Sequence, residues 1–159
     1  MARIAILTAS DKASAGERED RSGQLIENRE RSEGHEVVRR EIVPDERATI
    51  SRTLAEWCDQ GLADIVITTG GTGLTARDIT PEATRDIAER DVPAIPIALA
   101  LSGLEKTPYA ALTRGVAVTR GKTLIVNLPG SPKAVEEGLA VLLPLVGHIA
   151  ELLAGPVEH

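Results

Sequence analysis

Two stretches of this chain carry residue types suited to holding anions. Thr68-Thr69-Gly70-Gly71-Thr72-Gly73 follows a short apolar segment. Glycines there let backbone N–H groups converge on a phosphate without obstruction by Cβ atoms, and the threonine hydroxyls add donors. Asn127-Leu128-Pro129-Gly130-Ser131-Pro132-Lys133 feeds a turn into a helix start, with Lys133 in the first turn. Either loop alone reads equally well as a tight turn before a capped helix. Two of them at the ends of predicted strands favour a phosphate-bearing ligand, because open α/β sheets gather ligands at strand C-termini.

Two carboxylates stand at comparable junctions. Asp78 lies in Arg77-Asp78-Ile79-Thr80-Pro81, and Asp45 in Val43-Pro44-Asp45-Glu46. Beside a triphosphate they could hold Mg²⁺, which takes one or two carboxylates together with phosphate oxygens and water. The alternative is that both cap helices, a role Asp45 would suit well. Asp11, Asp20 and Ser22 belong to the first polar loop, where ordinary solvated loop chemistry competes with any functional reading.

Other chemistries fail on spacing. No G-x-x-x-x-G-K-[ST] exists, so there is no P-loop. Gly71-Thr72-Gly73-Leu74-Thr75-Ala76 matches a dinucleotide fingerprint literally, but it follows the third strand and its helix waits until Thr80. His35, His148 and His159 show no ligand spacing, which argues against zinc. Cys58 beside Trp57 reads as a structural thiol. No Gly-x-Ser-x-Gly elbow is present.

The elements that must position these residues alternate. Arg3–Ala9, Glu36–Val43 and Asp64–Thr69 read as strands. Helices are expected around Ser22–Ser32 and Asp45–Gln60, stopped by Gly34 and Gly61. Thr80 as N-cap with Pro81 next opens another helix. Ile95–Leu101 reads as a short buried helix. Gly115–Thr119 and Lys122–Asn127 flank Arg120-Gly121 as a hairpin. Ser131-Pro132 then opens a helix to about Leu153, which Pro144 should kink or interrupt. The class is α/β, in one domain over residues 1–159.

Composition bounds the partners. The chain has 159 residues, 42% hydrophobic and 26% charged, with a net charge of −6. Its only aromatics are Trp57 and Tyr109, so stacking platforms for single-stranded nucleic acid are nearly excluded. The negative charge disfavours nucleic acid and anionic membranes. No stretch reads as a membrane helix and no cleavable signal is visible, so a cytoplasmic setting is expected, in keeping with a lone cysteine.

The motifs, taken together, resemble the MoaB/Mog family of molybdenum cofactor biosynthesis. The resemblance rests on Leu7-Thr8-Ala9-Ser10-Asp11, Ser14-Ala15-Gly16, Asp20-Arg21-Ser22-Gly23, Val43–Glu46, the block Thr68–Thr84, and Asn127–Val135. They occur in the family's order and span essentially the whole chain. What the resemblance implies is a three-layer α/β/α domain with a mostly parallel central sheet and a small hairpin, assembled as a homotrimer. The implied activity is molybdopterin adenylyltransferase: AMP passes from Mg–ATP to the terminal phosphate of molybdopterin, pyrophosphate leaves, and the product goes to a molybdenum insertase.

By similarity, Asp45 and Asp78 are the catalytic and metal-binding aspartates. Gly70, Gly71, Thr72 and Gly73, with Asn127, Pro129, Gly130 and Ser131, match positions around the nucleotide and phosphates. Ser10, Asp11, Ser22 and Thr113 fall toward the pterin. Two departures stand out. Ala94 replaces a glycine frequent in bacterial members, and Leu112-Thr113-Arg114 replaces Leu-Ser-Arg. A catalytically silent pterin carrier and a trimeric scaffold module are the competing readings, and the presence of both aspartates favours catalysis over the carrier.

Overall fold

A computed structural model describes residues 1–156, so His159 and the last residues of the expected domain lie outside it. The chain runs β1 (Arg3–Ala9), α1 (Asp11–Ser14), α2 (Arg21–Ser32), β2 (Glu36–Val43), α3 (Arg47–Asp59) and β3 (Ile65–Thr69). It continues with α4 (Thr80–Asp86), β4 (Arg90–Asp91), α5 (Ala94–Leu104), a 3-10 turn (Pro108–Leu112), β5 (Ala117–Arg120), β6 (Thr123–Leu128) and α6 (Pro132–Ala154). The six strands form one sheet in the order β2-β1-β3-β6-β5-β4. Pairings from β2 across to β6 are parallel, and those of β5 with β6 and with β4 are antiparallel.

The apolar central strands bury both faces, as a parallel sheet between helices requires. Alternate residues sort into two cores. Ile4, Ile6, Ile65, Ile67, Leu124 and Val126 pack toward α2 and α6. Ala5, Leu7, Val66 and Ile125 pack toward Ile50, Leu54 and Trp57 of α3. The ends of β1, β3 and β6 therefore open on one edge of the sheet, where the two Gly-containing loops leave it.

Several expectations need correction. Asp45 does not cap α3: Glu46 occupies that position, without a side-chain cap bond. Thr80 lies inside α4, and Ile79 precedes it as the cap residue. α5 is longer than predicted and has no buried residue. α6 is not interrupted at Pro144. The carbonyl freed by that proline belongs to Ala140, which is exposed, so water can satisfy it. Contrary to the expectation that no stretch reads as a membrane helix, α6 is long and apolar enough to cross a bilayer by composition alone. Its Val135, Leu139, Leu142 and Val146 are fully buried against the sheet, as in the core helix of a globular domain.

The high charge of α2 finds its reason in ion pairs within the helix and to its neighbouring elements. Glu27 pairs with Arg31 and with Arg40 of β2, and Arg29 pairs with Glu136 of α6. Glu30 is different. Its carboxyl is fully buried with neither oxygen hydrogen-bonded, and burial, reinforced by the nearby Glu33 charge, pushes its pKa from 4.5 to about 7. A carboxyl that binds its proton more tightly in the folded chain favours folding below the unfolded pKa and opposes it increasingly up to the folded value. Glu30→Met is therefore expected to stabilise the protein. Its advantage over wild type should grow by on the order of 3 kcal/mol between about pH 4 and about pH 8 in urea melts. A pH-independent difference would contradict the assignment.

Candidate active site

The Gly loop owes its sequence to close backbone approach. Gly70 and Gly71 both have positive φ, +93° and +70°. A Cβ on Gly70 would collide with the Ala9 carbonyl oxygen at the end of β1, and one on Gly71 would collide with Thr80 Oγ1. A Cβ on Gly73 would stand 2.8 Å from Asp78 Oδ2, and one on Gly130 3.3 Å from Gly70 Cα. The three loop glycines differ in what their N–H groups do. The Gly70 N–H donates to the Leu128 carbonyl, whereas those of Gly71, Thr72 and Gly73 have no hydrogen bond among the described residues. Gly71→Val would test the loop's shape before it tested any ligand.

Asp45 is held by a reciprocal pair. The Asp11 N–H donates to Asp45 Oδ2 at 3.0 Å, and the Asp45 N–H donates to Asp11 Oδ1 at 2.9 Å. Arg77 forks onto Asp11 at 2.8 and 3.0 Å and holds that carboxyl below its usual range. Asp45 moves the other way. Partial burial raises its pKa, helped by the Asp11 and Asp78 charges and opposed by the Asp11 N–H and by Arg77. Asp78 accepts from the Thr75 N–H and hydroxyl through Oδ2. Arg114 clamps the same loop, donating to the carbonyls of Gly73 and Asp78 and to Glu82.

These elements enclose a cleft with two lobes. The larger, about 660 Å³, is lined by Ser10, Ser22, Asp45, Asp78, Gly70 and Gly71, with Arg18 and Arg21 on its rim. The smaller, about 490 Å³, lies under α5 and the 3-10 turn and includes Thr72, Gly73, Thr113, Asn127, Pro129 and Glu137. Gly71, Asp78, Gly130 and Ser131 line both. One cleft can therefore hold two ligands that meet beside Asp78.

The residues present fit a divalent cation. Asp45 Oδ1 is buried and has no partner, and Asp78 Oδ1 accepts no hydrogen bond among the described residues. No group of three or more His, Cys, Asp or Glu is suited to a metal among those residues. Two carboxylates completed by phosphate oxygens and water suit Mg²⁺ better than an all-protein cage.

A family model described as "Probable molybdopterin binding domain" matches residues 5–148. The chain belongs to that family. A protein named molybdopterin adenylyltransferase from Helicobacter pylori (strain J99) is 40% identical over 154 residues, covering 96% of this chain and 88% of its own. One of that name from Escherichia coli K12 is 37% identical over 150 residues, covering 92% and 76% respectively. The crystal structure of the molybdopterin biosynthesis enzyme MoaB from Thermus thermophilus superposes with a TM-score of 0.91 at 47% identity, covering 98% of each chain.

Within this molybdopterin-binding domain, the expected residues divide. Ser10 and Ser22 join Asp45 and Asp78 in the larger lobe. Thr113, expected beside them, lines the smaller lobe instead. Asp11 lines neither lobe and acts through Asp45 and Arg77. Asn127 lines the smaller lobe, but its amide is fully engaged with Thr68, Thr84 and the Val116 N–H. Ser22 donates to the Gly130 carbonyl at 2.6 Å, and Ser131 caps α6.

Lys133, the cation anticipated in the second loop, lines neither lobe. Asp20, read as loop chemistry, is a buried cap of α2 that also binds Thr8 and Arg40. Arg77 and Arg114 were missed as positioning residues; only the adjacency of Arg77 to Asp78 hinted at the first. Arg114→Met is expected to cost about 1–3 kcal/mol of stability, since it leaves two loop carbonyls without a charged donor. Amide exchange should accelerate within residues 72–79 while the central strands keep their protection, and unchanged exchange there would remove the clamp.

Proposed function

We propose that this chain is a molybdopterin adenylyltransferase. The observation that carries the reading is the single cleft whose two lobes meet at Asp78 and at the facing edges Gly70–Gly71 and Gly130–Ser131. The relatives' shared name supports it. A terminal phosphate oxygen of molybdopterin attacks the α-phosphorus of ATP, the bond to the β-phosphate's bridging oxygen breaks, and pyrophosphate leaves. Positioning and charge neutralisation supply the catalysis, with no covalent enzyme intermediate.

In this reading, Asp45 Oδ1 and Asp78 Oδ1 hold Mg²⁺, which when bound neutralises charge on the transferring phosphates. Gly71–Gly73 and Pro129–Ser131 border the nucleotide, and Ser10 and Ser22 face the pterin. Thr113 falls on the nucleotide side. Asp11, Arg77 and Arg114 keep both aspartates in place. Asp78→Asn and Asp45→Asn are expected to abolish release of pyrophosphate from purified protein, molybdopterin and Mg–ATP. The Asp78 variant keeps an acceptor for Thr75, and Asp45 caps no helix, so both variants should stay folded. Normal turnover in either folded variant would remove that residue from the catalytic pair.

The same reading makes the protein a cytoplasmic homotrimer that hands its product to a molybdenum insertase, with no nucleic acid or membrane partner. Self-association is supported by α5 and its neighbour, which expose Ile97, Leu101, Tyr109 and Leu112 at 58, 62, 76 and 50%. A small acidic domain rarely leaves such a patch uncovered. Sedimentation equilibrium is expected to give three times the 16.9 kDa chain mass. A monomer at micromolar concentration would contradict it.

A further inference from the structure

The larger lobe has an electrostatic problem that its aspartates do not solve. Asp45 and Asp78 repel a phosphate, and the whole chain carries −6. Asp20 and Glu19 also line this lobe; Asp20 is committed to Arg40, the Thr8 hydroxyl and the Gly23 N–H, and Glu19 lies beside Arg21. Among the lining residues only Arg18 and Arg21 are cations. Arg21 has an acid nearby, Glu19 at 3.6 Å. Arg18 makes no ion pair or hydrogen bond among the described residues. Among the described residues, no cation lines the smaller lobe.

We infer that Arg18 binds a phosphate group in the larger lobe, holding it by its guanidinium from the loop between α1 and α2. This rests on the proposed transferase reading and goes beyond it, because neither the motifs nor the aspartates assign an anion-binding role to Arg18. A guanidinium presents a planar fork of N–H donors that matches two phosphate oxygens. Its long stem lets an exposed residue reach over a cleft while the head stays wet. The loop is anchored at both ends: the Gly16 and Glu17 N–H groups donate to the Ala13 and Lys12 carbonyls of α1, and Asp20, buried, caps α2. An arginine so placed complements Mg²⁺. The aspartates gather a cation on one wall, and Arg18 supplies fixed positive charge on the rim.

The phosphate could belong to the pterin or to the nucleotide, and kinetics separates the two. Arg18→Ala is expected to raise KM about tenfold for whichever substrate carries that phosphate, with the loss on KM rather than on kcat. Arg18→Lys, which keeps the charge but loses the fork, should recover only part of the affinity. Independently of turnover, calorimetric titration with inorganic pyrophosphate should show affinity about tenfold weaker in Arg18→Ala, with a shallower salt dependence. That arm needs no adenylyl transfer. A wild type that binds pyrophosphate without transferring AMP would defeat the transferase reading, while the tenfold loss in Arg18→Ala would still support the phosphate role of Arg18 and its absence would overturn it. Unchanged KM for both substrates together with unchanged pyrophosphate affinity would overturn the inference. An equal loss in Arg21→Ala would also overturn it, by making the effect one of general charge.

Discussion

Backbone packed directly on backbone is the constraint from which the site follows. The chain leaving β3 turns across the end of β1 so closely that Gly70 leaves no room for a methyl group over the Ala9 carbonyl. Gly130, leaving β6, presses on Gly70 in turn. At Gly70 only glycine tolerates both the positive φ and the proximity. The parallel pairing of β1, β3 and β6 brings three strand ends side by side, and this contact converts them into one edge. Ser22 then ties α2 to that edge through the Gly130 carbonyl, and Thr69 ties the end of β3 to it through the Pro129 carbonyl. The cleft is the space these ties leave open.

On that edge, acidic groups are sorted by partner. Asp11 is neutralised by Arg77, Asp20 by Arg40 and Glu82 by Arg114. Among the described residues Asp45 and Asp78 have no such cation, and each keeps an oxygen without a partner, a buried one in Asp45. Leaving a buried carboxylate oxygen bare costs stability, so the arrangement makes sense where a ligand completes it. Asp45 shows the compromise most clearly. Its Oδ2 is fixed by the Asp11 N–H while its Oδ1 is left bare, and burial raises its pKa.

Much of this was legible in the sequence, for local reasons. β1 ends where its apolar run ends, β2 ends before Pro44, and Gly34, Gly61 and Gly121 stop their elements with positive φ. Ser131-Pro132 opens α6 as a cap followed by proline should. What was not legible depends on partners distant in the chain. β4 is two residues long and exists because β5 offers it an edge. The charges of α2 make sense only once β2 and α6 lie beside it. Asp45 resembled a cap because its neighbours suited one, yet the Asp11 N–H, 34 positions away, claims its side chain. The aspartates and the Gly loop could be named from spacing. The arginines that position them could not, because nothing local distinguishes them from surface charge.

α5 links assembly to the site. It is apolar on all sides, a pattern usually found inside a protein, yet none of its residues is buried. One face, through Pro96, Leu99, Ala100 and Gly103, walls the smaller lobe. Gly103 has no room for a Cβ beside Ala110, so the 3-10 turn is held against the same helix. The opposite face carries Ile97 and Leu101 into solvent. A helix held to its domain on one side only is among the easier elements to open locally. Covering its outer face would therefore stiffen the wall of the smaller lobe without adding any residue to it. In the proposed trimer, assembly would act on the reaction through the shape of that lobe, while Asp45, Asp78 and the glycine edge remain the work of one chain.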